Sequence, residues 1–276
     1  MTKTEFVDLL MSDHRNYLLS IIDTKDSDDE SLNQLSYWLG LANLTKKKAD
    51  KYSQPTTFVY TLNVLSEIKS TDGDYIDMIA GLFHDLGEYF AIDQCIDSLT
   101  TDEFLRKALK IGRIAKPFCT DLNNTKESVQ SLLGISSEYY DSLVSKIKNK
   151  GHEQISCKMA SEFMTDLGFN ESEINTVLYL IRYHMYAYMI PETKFAKTLK
   201  DMIRYPVYSR LRNFWVCIQN GRVGENRVTI KDVSNNERKN KNPLMKELIS
   251  EFIKKNSKAS ENGIDLSKLM IDEISI

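Results

Sequence analysis

A histidine and an aspartate stand side by side at the end of an apolar run, in the segment Gly81-Leu82-Phe83-His84-Asp85-Leu86-Gly87-Glu88. Adjacent side chains on a helix point about 100° apart, so both can reach one point only near a helix end that lines a cavity. An imidazole and a carboxylate are costly to bury unless they are used. A divalent metal is the usual partner, because His nitrogen and Asp oxygen are both common ligands. The pair therefore indicates a metal centre.

Two of the three other histidines stand at comparable positions. His152 opens an amphipathic helix, and His184 lies near the end of an apolar helix. Together with His84 and Asp85 they can meet at one cavity. Simpler alternatives remain: a helix-terminal hydrogen-bonded pair at His84 and Asp85, a helix cap at His152, and an aromatic-packed core residue at His184. The fourth histidine, His14, is predicted to lie on a helix surface.

This order of motifs resembles the HD superfamily, the helical metal-dependent phosphohydrolases, and most closely the HD domain of CCA-adding tRNA nucleotidyltransferases. The similarity covers roughly residues 55–225. It depends on Phe83-His84-Asp85-Leu86-Gly87, on Gly151-His152-Glu153, and on Ile181-Arg182-Tyr183-His184. The resemblance implies an all-α HD-type bundle with a divalent metal (Mn, Fe, Co, Ni, Zn or Mg). It also implies that His84, Asp85, His152 and His184 are the ligands of this metal.

Two positions depart from the pattern that the resemblance implies. The first histidine of the family falls on Tyr60, and its late aspartate falls near Gln219, Asn220 or Gly221. Neutral tyrosine and amide side chains are poor replacements for these ligands. The first 50 residues contain no paired-carboxylate nucleotidyltransferase motif, so CCA addition is not expected.

Two hypotheses of function follow from the resemblance. The first is a phosphohydrolase acting on a nucleotide or a nucleic-acid phosphate end, with Asp85 at the metal and Glu88 as the general acid, as in 5′-deoxynucleotidases of the superfamily. Arg182, Lys200 and Arg222 are the candidate phosphate ligands. The alternative is a catalytically degenerate HD domain that binds RNA, a nucleotide or a protein partner. A solvated carboxylate is the simpler interpretation of Glu88.

Composition sets the broad class of protein. The chain has 276 residues, a net charge of −3 and a pI near 5.9, which argues against broad coating of nucleic acid. Its four cysteines contain no CxxC pair, so we expect reduced, buried thiols in a cytoplasmic protein. No signal peptide or membrane span is expected, and hence no membrane partner. The run Lys46-Lys47-Lys48 is predicted to be solvated.

Sparse glycine and proline favour an all-α fold, with 11 and 5 of these residues in the chain. Apolar spacing predicts helices over 4–22, 31–50, 57–69, 74–85, from 152 to a cap at Gly168, 174–184 and 207–221. Residues 91–150 are predicted to be a less regular helical insertion. The expected organisation is an N-terminal helical region (1–50), an HD-type domain (51–231) and a C-terminal extension (232–276).

Overall fold

Helices dominate the part of the chain that the structure describes. In this computed structural model, residues 1–22, 27–47, 56–113, 134–185, 207–222 and 227–232 are described, and they form an all-α bundle as predicted. No strand occurs among them apart from an isolated bridge between Lys46 and Thr56. The helices are α1 (Lys3–Ile22), α2 (Glu30–Leu44), α3 (Thr57–Ser70), α4 (Tyr75–Phe83), α5 (Glu88–Leu99), α6 (Glu103–Arg113), α7 (Ser137–Lys146), α8 (His152–Asp166), α9 (Glu171–Tyr183) and α10 (Tyr208–Arg222).

Capping residues determine where the helices around the predicted site begin. Thr56 caps α3 by accepting a hydrogen bond from the Val59 N–H, and Asp74 caps α4 in the same way. Asn170 and Glu173 form a reciprocal capping box at the start of α9. At the other end of α8, Gly168 has a left-handed φ of 77°, which confirms it as a helix-ending residue.

One hydrophobic core joins the N-terminal helices α1 and α2 to α3, α4 and α8 to α10. Fully buried side chains from α1 to α4 and from α8 to α10 form one cluster, with Leu10, Leu39, Leu65, Phe163 and Trp215 among its members. A smaller cluster joins α5, α6 and α7. The bundle therefore holds the chain segments that carry the predicted site against one continuous apolar interior.

The structure corrects the sequence prediction between residues 74 and 100. The helix predicted over 74–85 ends at Phe83, and His84 to Gly87 form a turn. The segment predicted to be a less regular helical insertion from residue 91 begins within the regular helix α5. Its N-cap is Gly87, which makes no side-chain capping hydrogen bond, so the sequence carries no start signal for this helix.

Two further predictions concern cysteines and membranes. Cys95, Cys157 and Cys217 are free thiols. Cys157 and Cys217 are buried as predicted, whereas Cys95 is partly exposed. Cys119 lies outside the described residues. None of the helices in the described ranges combines the length and apolar character needed to cross a bilayer.

Candidate metal centre

The four predicted ligands lie on three separate segments that the bundle brings together. His84 and Asp85 form the turn between α4 and α5, His152 is the first residue of α8, and His184 directly follows α9. All four are buried, with exposed fractions of 0%, 4%, 3% and 1% respectively. The structure therefore brings these four residues together in one buried cluster.

Asp85 lies at the centre of the cluster. Its Oδ1 lies 3.1 Å from His152 Nε2 and 3.3 Å from His184 Nε2. These two nitrogens are 3.3 Å apart, and the donor atoms of all three residues lie within 4.8 Å of one another. The other carboxylate oxygen of Asp85, Oδ2, lies 3.5 Å from His84 Nε2. One carboxylate oxygen and two imidazole nitrogens thus face a common point, and this buried cluster could hold a metal ion.

Backbone carbonyls fix the orientation of all three imidazole rings. The Nδ1 atoms of His84, His152 and His184 lie 2.7, 2.8 and 2.6 Å from the carbonyl oxygen three residues earlier in the chain. A carbonyl only accepts, so each Nδ1 carries the proton and, in the neutral ring, each Nε2 is left with its lone pair. Histidines that bind metal are oriented in this way by their second nitrogen.

One buried nitrogen of the cluster has no hydrogen-bond partner among the described residues. This atom is His84 Nε2, which is enclosed and lies 3.5 Å from Asp85 Oδ2. An unsatisfied buried polar atom costs on the order of 1–3 kcal/mol, so such an atom calls for an explanation. The donor set of Asp85, His152 and His184 and the orientations of their rings fit a metal ion.

The ligands influence one another electrostatically. Burial lowers the pKa of His84 to about 4, despite the neighbouring Asp85. For His152, burial alone would lower the pKa. The hydrogen bond and the charge interaction with Asp85 outweigh burial and raise the pKa to about 9. Burial alone would raise the pKa of Asp85. The positive charge of Lys47 and the interactions with the surrounding imidazoles outweigh burial, so the pKa lies well below its usual value. Metal ligation at neutral pH would therefore release a proton from His152.

Two simpler interpretations of the histidines are wrong. His152 does not cap α8, because the N-cap is Gly151, with a left-handed φ of 82°. His14 is not a surface residue: it is 8% exposed, and its Nε2 lies 3.1 Å from Ser66 Oγ on α3. The ring of His184 packs against the rings of His84 and His152, at centroid distances of 5.3 and 5.2 Å.

Tyr60 lies at the edge of the centre, where the resemblance expects a histidine. Its buried ring is 5.4 Å from the ring of His84, and its hydroxyl donates to the carbonyl of Ile218, 3.2 Å away. No aspartate occupies positions 219–221, where the late aspartate is expected. The Asn220 side chain instead exchanges two hydrogen bonds with the backbone of Val228.

Lys47 is a residue of the centre that the sequence analysis missed. Its side chain is 3% exposed, so the prediction of a solvated lysine is wrong. The ammonium Nζ lies 2.6 Å from Asp85 Oδ2 and 2.6 Å from Glu88 Oε2. It also lies 4.7 Å from the centroid of the Tyr60 ring. The pairing with Asp85 spans 38 residues, and nothing local distinguishes Lys47 from its two lysine neighbours.

Glu88 is buried rather than solvated, with 6% of its surface exposed. Besides Lys47, its Oε2 accepts a hydrogen bond from Thr57 Oγ1 at 2.7 Å, and its Oε1 accepts one from Asn149 Nδ2 at 2.5 Å. A general acid carries a proton on one of these oxygens. Oε1 accepts one hydrogen bond and Oε2 accepts two, so Oε1 is the oxygen with a lone pair for such a proton.

Two of the three candidate phosphate ligands lie in the part of the chain that the structure describes. Arg182 is exposed on α9 beside the Cys157 thiol. Arg222 is half-buried and is the last residue of α10. Lys200 lies outside the described residues. Their role in phosphate binding stays a prediction.

Comparisons with protein-family models, with curated proteins and with solved structures return no match. The chemistry of the centre must therefore be argued from its own residues.

Proposed function

We propose that this protein is a metal-dependent phosphohydrolase of the HD type, acting on a nucleotide or a nucleic-acid phosphate. The observation that carries the proposal is the buried cluster of Asp85, His152 and His184, whose donor atoms lie within 4.8 Å of one another. The fixed direction of the imidazole rings supports it further, because each Nδ1 is held by a carbonyl oxygen.

Two histidines and one carboxylate leave open coordination positions, as catalytic metal sites require. When bound, the divalent ion supplies a water of lowered pKa and polarises a phosphoryl oxygen. His152, His184 and Asp85 would hold the ion. His84 would lie beside it, with its Nε2 3.5 Å from Asp85 Oδ2. The enclosing core excludes bulk water, which strengthens electrostatic interactions with a phosphate.

A second function, a binding module without hydrolytic activity, is favoured by a different observation. Lys47 already supplies a positive charge to Asp85 and Glu88, and Tyr60 is a neutral side chain at the edge of the centre. A centre of this kind could bind a nucleotide, RNA or a protein partner without turnover.

Hydrolysis of phosphate esters separates the two functions. The metal-free protein is reconstituted with Mn²⁺ and assayed on nucleoside 5′-monophosphates, 3′-phosphorylated oligonucleotides and bis(p-nitrophenyl) phosphate. The phosphohydrolase proposal expects Mn²⁺-dependent hydrolysis of at least one substrate, lowered by ~100-fold or more in His152→Gln and His184→Gln. The matched control His14→Gln, which changes a buried histidine outside the centre, should keep its activity.

Two results would contradict the phosphohydrolase proposal. Activity that persists in His152→Gln and His184→Gln would place the chemistry elsewhere. Stoichiometric Mn²⁺ binding with no turnover of any substrate would favour the binding module, and nucleotide affinity would then be measured directly.

A further inference from the structure

We propose that Lys47 is a built-in cation of this centre: its ammonium fills a cation position formed by Asp85 and Glu88, so that the centre accepts one metal ion rather than two. The inference rests on the proposed function only in taking the imidazole cluster as the site of the first metal. It concerns a separate position, on the other side of the Asp85 carboxylate.

The two oxygens of Asp85 face different partners. Oδ1 lies near the Nε2 atoms of His152 and His184, at 3.1 and 3.3 Å. Oδ2 lies 2.6 Å from Lys47 Nζ. A carboxylate placed in this way bridges two cation positions, one next to imidazole nitrogens and one next to oxygens.

The second position is rich in oxygen atoms and is already filled by the ammonium. Asp85 Oδ2 and Glu88 Oε2 each lie 2.6 Å from the same nitrogen. Carboxylate oxygens that converge on one point are the ligands that Mg²⁺ and Mn²⁺ prefer. Thr57 and Asn149 donate to Glu88 and hold its carboxylate in this direction.

Backbone hydrogen bonds hold the segment that carries Lys47 next to the start of α3. Lys46 forms the isolated bridge to Thr56, and the Thr57 N–H donates to the Thr45 carbonyl at 2.9 Å. These contacts tie the segment after α2 to the start of α3. The ring of Tyr60 on α3 then faces the ammonium at 4.7 Å, a distance at which an aromatic ring attracts a cation.

Removing the ammonium should therefore open the second position to a metal. The experiment measures Mn²⁺ bound at saturation by equilibrium dialysis and elemental analysis, for the wild-type chain, Lys47→Ala and the control Lys46→Ala. Lys46 is the exposed neighbour in the same segment. The proposal expects Lys47→Ala to bind one more Mn²⁺ than the wild type, and Lys46→Ala to bind the same number as the wild type. Two Mn²⁺ ions bridged by Asp85 should also show a spin-coupled electron paramagnetic resonance signal.

The outcomes for the two proposals are distinguishable. An equal Mn²⁺ count in Lys47→Ala and the wild type would overturn the role of Lys47. If the wild type binds no Mn²⁺ and Lys47→Ala binds one, the proposed function fails while the role of Lys47 stands.

A folding defect in Lys47→Ala does not prevent the test. Its Tm is then followed across a Mn²⁺ titration in parallel with the wild type. A larger Mn²⁺-dependent rise in Tm for the variant supports the proposal, and an equal rise overturns it.

Discussion

Asp85 connects the charges of the centre. It is buried, and one carboxylate contacts two imidazole nitrogens through one oxygen and the Lys47 ammonium through the other. Removing one member of a buried ion pair leaves the other without compensation, which is more costly than removing both. The Asp85 side chain therefore affects both the binding of a metal and the stability of the fold.

The change Asp85→Asn should abolish metal binding and lower the stability of the metal-free protein. We expect a loss of about 3 kcal/mol, at the low end for a buried ion pair because Lys47 keeps its contact with Glu88. The measurement is urea unfolding in the presence of a chelator. The control Asp166→Asn changes an exposed aspartate at the end of α8 and should stay within about 0.5 kcal/mol of the wild type. Equal stability of the two variants would mean that the Asp85 ion pair contributes nothing.

Tyr60 tests whether the centre is limited by a missing nitrogen ligand. The change Tyr60→His places an imidazole beside His84 and the Lys47 ammonium. In a Lys47→Ala background, where the ammonium no longer fills this position, we expect Mn²⁺ affinity to rise by ~10-fold or more. Tyr60→Phe is the matched control, because it also loses the hydroxyl contact to Ile218 but adds no ligand. Isothermal titration with Mn²⁺ measures both. The same affinity in the two variants would contradict the assignment of position 60.

At the scale of elements, the centre depends on close contact between α5 and α8. Gly87, at the start of α5, donates its N–H to Ser156 Oγ on α8 at 2.9 Å. A Cβ at this glycine would lie 2.8 Å from the Ser156 nitrogen and closer still to the His152 carbonyl oxygen. Both are backbone atoms and cannot rotate away. The absence of a side chain at position 87 therefore lets His152 approach the turn that carries Asp85.

The change Gly87→Ala should push α8 away from this turn. We expect a loss of stability of about 1–3 kcal/mol together with weaker Mn²⁺ binding. Gly40→Ala is the control: it lies inside α2 with no atom within 4 Å of the added Cβ, and should stabilise the protein by roughly 0.5–1 kcal/mol. Thermal unfolding with and without Mn²⁺ measures both effects. Unchanged Mn²⁺ affinity in Gly87→Ala would contradict the positioning role.

Glu173 joins three helices at the far side of the bundle. It completes the capping box of α9 and accepts hydrogen bonds from Lys3 of α1 at 2.7 Å and from Tyr75 of α4 at 2.6 Å. Burial raises the pKa of Glu173, and the contacts with Lys3, Tyr75 and the Asn170 N–H outweigh it, so the folded pKa lies below the ordinary value of 4.5. A group with a lowered pKa stabilises the fold above its unfolded pKa and loses this contribution as the pH falls through its folded pKa.

Glu173→Gln should therefore be less stable than the wild type near pH 7, by about 1–2 kcal/mol. The difference should persist down to the ordinary pKa of 4.5 and shrink at lower pH. Urea unfolding of both proteins across this range measures the difference. Glu171→Gln, an exposed neighbour in the same turn, is the control and should differ by about 0.5 kcal/mol or less. A Glu173 difference that does not change with pH would contradict the ionic origin of the effect.

At the scale of the whole molecule, the sequence predicted the parts that depend on local signals. The helices predicted to begin at residues 57 and 152 begin there in the structure. The three histidines stood out because each lies at the end or start of an apolar or amphipathic helix. Helix α5 was not predicted because it begins at a glycine without a capping side chain.

The part of the centre around Lys47 could not be predicted from the sequence. Its contacts with Asp85 and Glu88 join residues that are 38 and 41 positions apart, and they exist only once α2, α3 and the turn after α4 have packed together. The burial of Glu88 depends on the same packing, since its partners Thr57 and Asn149 come from two other segments. Such contacts have no sequence period to reveal them.

The metal content of the wild-type protein tests the central claim most directly. The full chain is purified without a chelator or a metal-affinity tag, and bound metals are measured by elemental analysis before and after incubation with Mn²⁺. The buried cluster of Asp85, His152 and His184 predicts close to one equivalent of a divalent transition metal per chain. No bound metal under either condition would contradict the account.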